Sequence, residues 1–208
     1  MKTQKSALVK YFARASMIST LIFAVLVLAL HILRPQMNPL SHTISEYALG
    51  PFGSLMTLAF ISRGLGELFL VLGLAWGTSR GSRSWTGLVF LALATVCSFL
   101  VALFPGDFHN TRLLLIHSLS AFLGFGSLIV AALAWSQRLR KHPGLRRSAL
   151  TSLVLGLLML ISLVSLVFSP SSLLGLTERV LEIFIISWLG FMAWRLPTLA
   201  SSQALSPA

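Results

Sequence analysis

The sequence is poor in charge and in cysteine. Only 10% of its 208 residues are charged and 56% are hydrophobic, whereas soluble domains carry roughly 25% charged residues. A soluble chain of this length could not bury that much apolar surface, so the composition excludes a soluble protein and indicates an integral membrane protein. The single cysteine, Cys97, lies inside an apolar run. This excludes a disulfide framework and a cysteine-rich metal motif, and it indicates a small packing residue.

The apolar residues form six runs, each near the roughly 20 residues that a bilayer crossing requires. Pairs such as Arg34-Pro35 and Pro105-Gly106 interrupt the runs, as expected of connections. The predicted helices run from about Ser16 to Leu33, Phe52 to Gly77, Trp85 to Phe104, Leu113 to Ser136, Ala149 to Phe168 and Val180 to Leu196. The predicted fold is therefore all-α, an integral membrane bundle of six transmembrane helices. It forms a single domain over residues 1–197, followed by a short disordered cytoplasmic tail, 198–208.

Basic residues outnumber acidic ones, with 16 Lys and Arg against five Asp and Glu. They cluster in short gaps between apolar runs, which argues against nucleic acid as a partner and is typical of cytoplasmic loops. If the six helices cross the membrane in alternating directions, most of these residues lie on one side of it. The positive-inside rule then predicts that both termini are cytoplasmic. The first run follows a basic leader and lacks a small-residue cleavage site. We therefore interpret it as an uncleaved helix and not as a secretory signal.

The acids avoid the predicted cytoplasmic loops. Glu46, Asp107 and Glu178 fall at the predicted outer ends of helices, Glu182 lies about one turn further in, and Glu67 lies inside the second helix. Four of the five histidines share this outer half, namely His31, His42, His109 and His117. The pattern predicts a polar cluster near the outer face of the bundle.

Arg63 and Glu67 are four residues apart in the second predicted helix, so they share a face and can pair. Arg63 lies about 18 Å along the helix from Pro51, too deep for easy snorkelling. Charged residues at that depth usually face the bundle interior or a wet cavity. We therefore predict that Arg63 faces protein and has Glu67 or Glu182 as its partner, either as a structural ion pair or as part of a site.

Two further stretches have both a structural and a functional interpretation. In SHTISEYALGP, residues 41–51, Ser45 and Glu46 either cap a short interfacial helix or form a lip over a cavity. In GLTERVLEIF, residues 175–184, Glu178 is expected in the first turn of the sixth helix, where a carboxylate suits the helix dipole. Arg179 is expected among the headgroups or in the site, and Glu182 is expected to face inward.

The stretch FPGDFHNTRLLLIHSLSAF, residues 104–122, concentrates polar residues between two apolar runs. On the fourth predicted helix one face carries a histidine and small residues, which suits either close helix packing or a pocket wall. The residues of this face are His117, Ser120, Ala121 and Gly124.

The same stretch raises the possibility of a metal site. Asp107, His109 and His117 offer three ligands for Zn²⁺ and would leave a fourth position for water. Zinc would make this water nucleophilic, and Glu46 or Glu182 would carry the proton in the hydrolysis of an ester or amide. The spacing of the two histidines matches no established zinc motif.

Three short motifs occur in order along nearly the whole chain: HTISEYALGPFG before the second helix, FPGDF…H between the third and fourth, and GLTER at the start of the sixth. In these motifs the sequence resembles the bacterial membrane family called domain of unknown function 998. The resemblance implies a six-helix bundle in the bacterial cytoplasmic membrane and no established activity. The IS…G…P portion is also faintly similar to the Frag1/DRAM/Sfk1 group of membrane proteins, some linked to lipid handling.

Three classes of function remain open. The first is a protein that binds or moves a lipid or small amphiphile, in which Arg63 would supply the cation for a headgroup and the carboxylates would orient it. The second is a metal-dependent intramembrane hydrolase, and the third is a structural or regulatory subunit whose polar residues lock the helices. The candidate binding residues are Ser45, Glu46, Arg63, Glu67, Asp107, His109, His117, Glu178, Arg179 and Glu182.

Overall fold

The computed structural model describes residues 2–107 and 109–202, and these residues form six long α-helices. The helices are α1 (Lys2–Leu33), α2 (Gly53–Gly77), α3 (Trp85–Leu103), α4 (Thr111–Arg140), α5 (Arg146–Val167) and α6 (Leu174–Ser202). Short 3₁₀ turns lie in the connections, at Ser45–Ala48, Arg80–Ser82, Pro143–Leu145 and Ser171–Leu173. All six helices are long and apolar enough to cross a membrane. Over the described ranges no strand occurs, so the predicted all-α fold of six membrane helices is confirmed.

The largest differences from the predicted bounds are in α1 and α6. α1 begins at Lys2 and not near Ser16, so its first turns carry the basic leader. α6 begins at Leu174 and not at Val180, and it continues through Pro197 to Ser202. A proline is tolerated inside a membrane helix where neighbouring groups satisfy the freed backbone carbonyl. Residues 198–202 of the predicted tail therefore extend α6, and residues 203–208 lie outside the described residues.

The helices pack as a closed ring in chain order. Each helix contacts the next, α6 contacts α1, and α2 also contacts α6. α2 runs antiparallel to α1, because the Cβ positions of Gly66, Gly73 and Gly77 lie beside Thr20, Phe12 and Val9. The later connections are short, so the other consecutive helices are antiparallel as well. The start of α1 and the ends of α2 and α6 meet at one end, where a Cβ on Gly77 would lie 3.4 Å from Ala200 Cβ and 3.5 Å from Val9 Cγ2. We call this the basic end; the opposite end, formed by the α1–α2, α3–α4 and α5–α6 connections, is the pocket end.

Two clusters of buried apolar side chains fill the ring. The larger extends to the basic end and contains the fully buried Trp135 of α4 and Trp188 of α6. The smaller lies between α1, α2 and α3 towards the pocket end and includes Phe23 and Phe60. Large apolar side chains cover the outer surface, as contact with lipid requires, among them Ile18, Leu21, Leu119, Ile161 and Ile183.

Side-chain caps fix the connection between α3 and α4. The Asp107 carboxylate accepts a hydrogen bond from the backbone N–H of His109 at 2.8 Å. The Asn110 side-chain oxygen accepts from the N–H groups of Arg112 and Leu113, each at 3.2 Å, so Asn110 is the N-cap of α4. α4 therefore begins at Thr111, two residues before the predicted start at Leu113.

Candidate functional site

A pocket of about 370 Å³ lies inside the ring at the pocket end. Residues of α2, α3, α4, α5 and α6 and of the α1–α2 connection line it. Its volume falls in the range of roughly 300–1,000 Å³ that is typical of small-molecule sites. Most of its wall is apolar and consists of Phe60, Val101, Leu114, Ala121, Phe122, Phe125, Leu166, Val167 and Leu174.

An ion-paired arginine lies on the charged side of the pocket. Arg63 is about 15 Å along α2 from Gly53, at 1.5 Å per residue. Its Nε donates to Glu67 Oε1 at 3.1 Å, and its Nη1 donates to Glu182 Oε1 on α6. The side chains of Arg63 and Glu182 are each only 7% exposed. The prediction that Arg63 faces protein and pairs with one of these carboxylates is confirmed, because it pairs with both.

Five helices meet around this guanidinium. Glu67 is fully buried, and its second oxygen accepts a hydrogen bond from the Ser98 hydroxyl of α3 at 2.9 Å. The rings of Phe23 on α1 and Phe125 on α4 lie 5.8 and 5.5 Å from the guanidinium carbon of Arg63. Cation–π contacts of this kind stabilise a desolvated arginine in addition to the ion pairs. Glu67 thus lies behind the pocket wall, where it holds Arg63 in place.

His117 brings an imidazole to the pocket from α4. It is 4% exposed, and its Nδ1 lies 2.8 Å from the carbonyl oxygen of Phe104 at the end of α3. A carbonyl can only accept, so Nδ1 carries the proton, and Nε2 of the neutral ring is then an acceptor. A Cβ at Gly106 would lie 3.0 Å from His117 Cδ2, so the missing side chain there makes room for the ring.

The predicted small-residue face of α4 forms part of the pocket wall. His117, Ser120, Ala121 and Gly124 all line it. The same face packs on α3, because a Cβ at Gly124 would lie 3.1 Å from the Cβ of Cys97. Both interpretations of this face therefore apply.

The lip of the pocket comes from the α1–α2 connection and the start of α6. Glu46 Oε1 accepts from the backbone N–H and the hydroxyl of Thr43, both at 2.9 Å. Glu178 Oε2 accepts from the backbone N–H of Ile44 at 2.6 Å, which ties the connection to α6. Thr43, Ser45, Glu46 and Glu178 line the pocket, and Ser45 also begins a short 3₁₀ helix. Glu178 was expected in the first turn of α6. Because α6 begins at Leu174, Glu178 instead lies just beyond that turn.

Arg179 does not belong to the pocket, although the sequence analysis included it among the binding residues. Its Nε donates to His31 Nε2 at 2.8 Å, and its Nη1 donates to the carbonyl oxygens of His42 at 2.7 Å and Gly175 at 2.9 Å. Its guanidinium carbon lies 5.9 Å from the centroid of the Tyr47 ring. Adjacent residues of a helix point about 100° apart, so Arg179 faces α1 while Glu178 faces the pocket.

The three residues proposed as zinc ligands do not come together. Over the described residues no group of three or more His, Cys, Asp and Glu side chains is placed to hold a metal ion. Asp107 caps its own loop through the N–H of His109, His109 is exposed, and His117 turns towards Phe104. Asp107 and His109 precede α4 in the connection, and neither lines the pocket that His117 lines.

Several lining residues were missed in the sequence. Ser98 is one of three hydroxyl residues in the otherwise apolar α3, and its hydrogen bond to Glu67 was not predicted. Cys97 lines the pocket as well as packing on α4. A polar residue inside an apolar run was the available signal for Ser98. The aromatic residues Phe60, Phe122 and Phe125 gave no signal, because aromatic residues occur in five of the six long helices and most of them lie outside the pocket.

These features define a multi-pass membrane protein with a buried charged pocket between its helices. Residues 17–195 match the family described as "Protein of unknown function (DUF998)", and the chain belongs to this family. The family membership predicted from the three short motifs is thereby confirmed, whereas the fainter similarity to the Frag1/DRAM/Sfk1 group has no counterpart in this match. The chain matches neither a curated protein nor a solved structure.

Proposed function

We propose that this protein binds a small amphiphile, with the polar head on the charged side of the pocket and the apolar chain along α4 and α5. The observation that carries the proposal is the division of the pocket surface. Arg63, Glu178 and Glu182 lie on α2 and α6, whereas the apolar lining continues along α4 to the end of α5. Ligand sites are typically apolar with a few polar groups that fix orientation.

The rim of the pocket supports access from the membrane. Phe122 of α4 and Val167 of α5 both line the pocket, and they are 46% and 57% exposed. An alkyl chain that leaves the pocket between these two side chains would remain in apolar surroundings. As part of the same proposal, the protein lies in the bacterial cytoplasmic membrane with both termini in the cytoplasm and the pocket end outside, as the distribution of Lys and Arg favours.

Photolabelling tests the proposal. The purified protein is reconstituted in liposomes and labelled with a ten-carbon alcohol that carries a diazirine, and the labelled residues are mapped by mass spectrometry. We expect labelling that saturates with probe concentration and is concentrated on the pocket-lining parts of α4 and α6. Labelling that never saturates and follows the lipid-exposed faces alone would contradict the proposal and leave the polar residues with a helix-locking role.

A matched pair of variants locates the label. Ser118→Trp places a bulky ring in the pocket, because Ser118 lines it. Ser165→Trp makes the same change at an exposed position of α5 that does not line the pocket. We expect the first variant to abolish the saturable labelling and the second to retain it.

A further inference from the structure

The buried polar atoms of the pocket that lack a partner are acceptors. Glu182 Oε2 and His117 Nε2 both belong to lining residues, and neither has a hydrogen-bond partner in the described part of the chain. Glu182 Oε1 is already bound by Arg63, and the Phe104 carbonyl fixes the proton of His117 on Nδ1. An acceptor that is buried without a donor is costly, so a ligand head that fills these positions must donate hydrogen bonds.

Negative charge exceeds positive charge around the same cavity. Glu46, Glu178 and Glu182 line it, and among the described lining residues Arg63 is the only Lys or Arg. That guanidinium is bound by Glu182 and also by Glu67, which lies behind the wall. One cation therefore faces several carboxylates, two of which, Glu178 and Glu182, are buried. Buried charges are stable only when they are paired.

Among the described residues Arg179 forms no ion pair with a carboxylate of the pocket. Its guanidinium is held on the α1 side of α6 by His31 and by the His42 and Gly175 carbonyls. The Arg63 guanidinium is already paired with the carboxylates of Glu67 and Glu182. A ligand with a cationic head would complete the charge balance.

Aromatic rings also lie on the charged side of the pocket. Phe60 of α2 and Phe125 of α4 both line the pocket. The Phe60 ring lies 6.4 Å from the His117 ring, and the Phe125 ring lies 5.5 Å from the guanidinium carbon of Arg63. The faces of such rings attract ammonium groups, and carboxylates combined with aromatic rings are a recurrent way to bind them.

From the unpaired acceptors, the excess of carboxylates and the aromatic rings, we infer that the pocket selects amphiphiles with a cationic, hydrogen-bond-donating head, that is, an alkylammonium group. The inference rests on the proposed function and names its ligand class. Glu182 Oε2 and His117 Nε2 accept from the ammonium N–H groups, Glu178 adds a second negative charge, and the apolar wall along α4 and α5 holds the chain.

Competition against the photoreactive alcohol tests the head group, with decylamine, decanol and decyl sulfate as probes of equal chain length. An alkylamine is protonated near neutral pH, as a lysine side chain is. We expect decylamine to displace the label at a concentration at least about tenfold lower than decanol, a factor that corresponds to roughly 1.4 kcal/mol. Decyl sulfate should be the weakest competitor.

The outcomes separate the two proposals. If the alcohol does not label the pocket saturably, the proposed function fails. If it does, but decylamine competes no better than decanol, or decyl sulfate competes best, amphiphile binding stands and the inference about the head is overturned.

Two variants test whether the pocket carboxylates select the cationic head. Glu182→Gln should remove most of the advantage of decylamine over decanol, because it removes a negative charge from the head site. Asp107→Asn, which removes a carboxylate from the same end of the bundle but outside the pocket, should retain the full advantage. Should Glu182→Gln fail to fold, Glu178→Gln can replace it, because the amide oxygen can still accept from the N–H of Ile44. Retention of the full advantage in the folded glutamine variants would overturn the inference.

Discussion

Arg63 of α2 and Glu182 of α6 form a buried ion pair across the ring, although 119 positions separate them in the chain. α2 and α6 are not neighbours in the ring, but they contact each other, and the ion pair lies at this contact. Glu67, four residues after Arg63, completes a triad of one guanidinium and two carboxylates. This triad both joins the two helices and forms the charged side of the pocket.

Loss of the guanidinium should destabilise the fold strongly. Arg63→Leu leaves Glu67 and Glu182 buried without their cation, and removal of one partner of a buried pair typically costs about 3–5 kcal/mol. We expect a decrease of this size in the free energy of unfolding, measured by denaturant titration in detergent solution.

The control for this prediction is Arg112→Leu. Arg112 is exposed in the first turn of α4, so its replacement should change the free energy of unfolding by less than about 0.5 kcal/mol. Equal, small effects of the two substitutions would mean that Arg63 reaches water or headgroups.

Gly175 is required by the packing of α6 against the α1–α2 connection. A Cβ at this position would overlap the carbonyl oxygens of His42 and Pro39. Gly175→Ala should therefore displace the connection and destabilise the protein by about 1–3 kcal/mol. Gly190→Ala on the same helix is the matched control, because a Cβ there meets no atom of the described residues within 4 Å. Thermal unfolding in detergent should show a lower midpoint for the first variant and an unchanged or higher one for the second.

The orientation in the membrane remains a prediction from charge, with the pocket end outside. It is tested with single cysteines in a Cys97→Ala background. Thr111→Cys lies at the pocket end beside the Asn110 cap, and Gly81→Cys lies in the α2–α3 connection, where a Cβ has free space. A membrane-impermeant maleimide added to intact cells should label the first and not the second. The reverse pattern would overturn the orientation.

Much of the fold follows from the sequence because its signals are local. Six apolar runs separated by Gly and Pro predict the six helices, and the spacing of Arg63 and Glu67 predicts their pairing. The expected inward direction of Glu182 and the pocket wall at His117 also rest on helical periodicity. Each of these inferences requires only the geometry of one helix.

The parts that sequence reasoning missed depend on relations between elements. Asp107 and His109 are near His117 in the chain, but a capped loop separates them from the pocket face of α4. Arg179 follows Glu178 directly, yet the helix directs their side chains to different neighbours. The contact of Ser98 with Glu67 joins α2 and α3, and no periodicity within one helix reveals such a pair.

The measurement that tests the central claim most directly is the dissociation constant of decylamine for the protein in nanodiscs, determined by calorimetry with empty nanodiscs as the blank. The account predicts that Ser118→Trp, which fills the pocket, weakens binding by about tenfold or more, whereas Ser165→Trp binds as the unmodified protein does. Equal dissociation constants for all three proteins would contradict the claim that this pocket is the binding site.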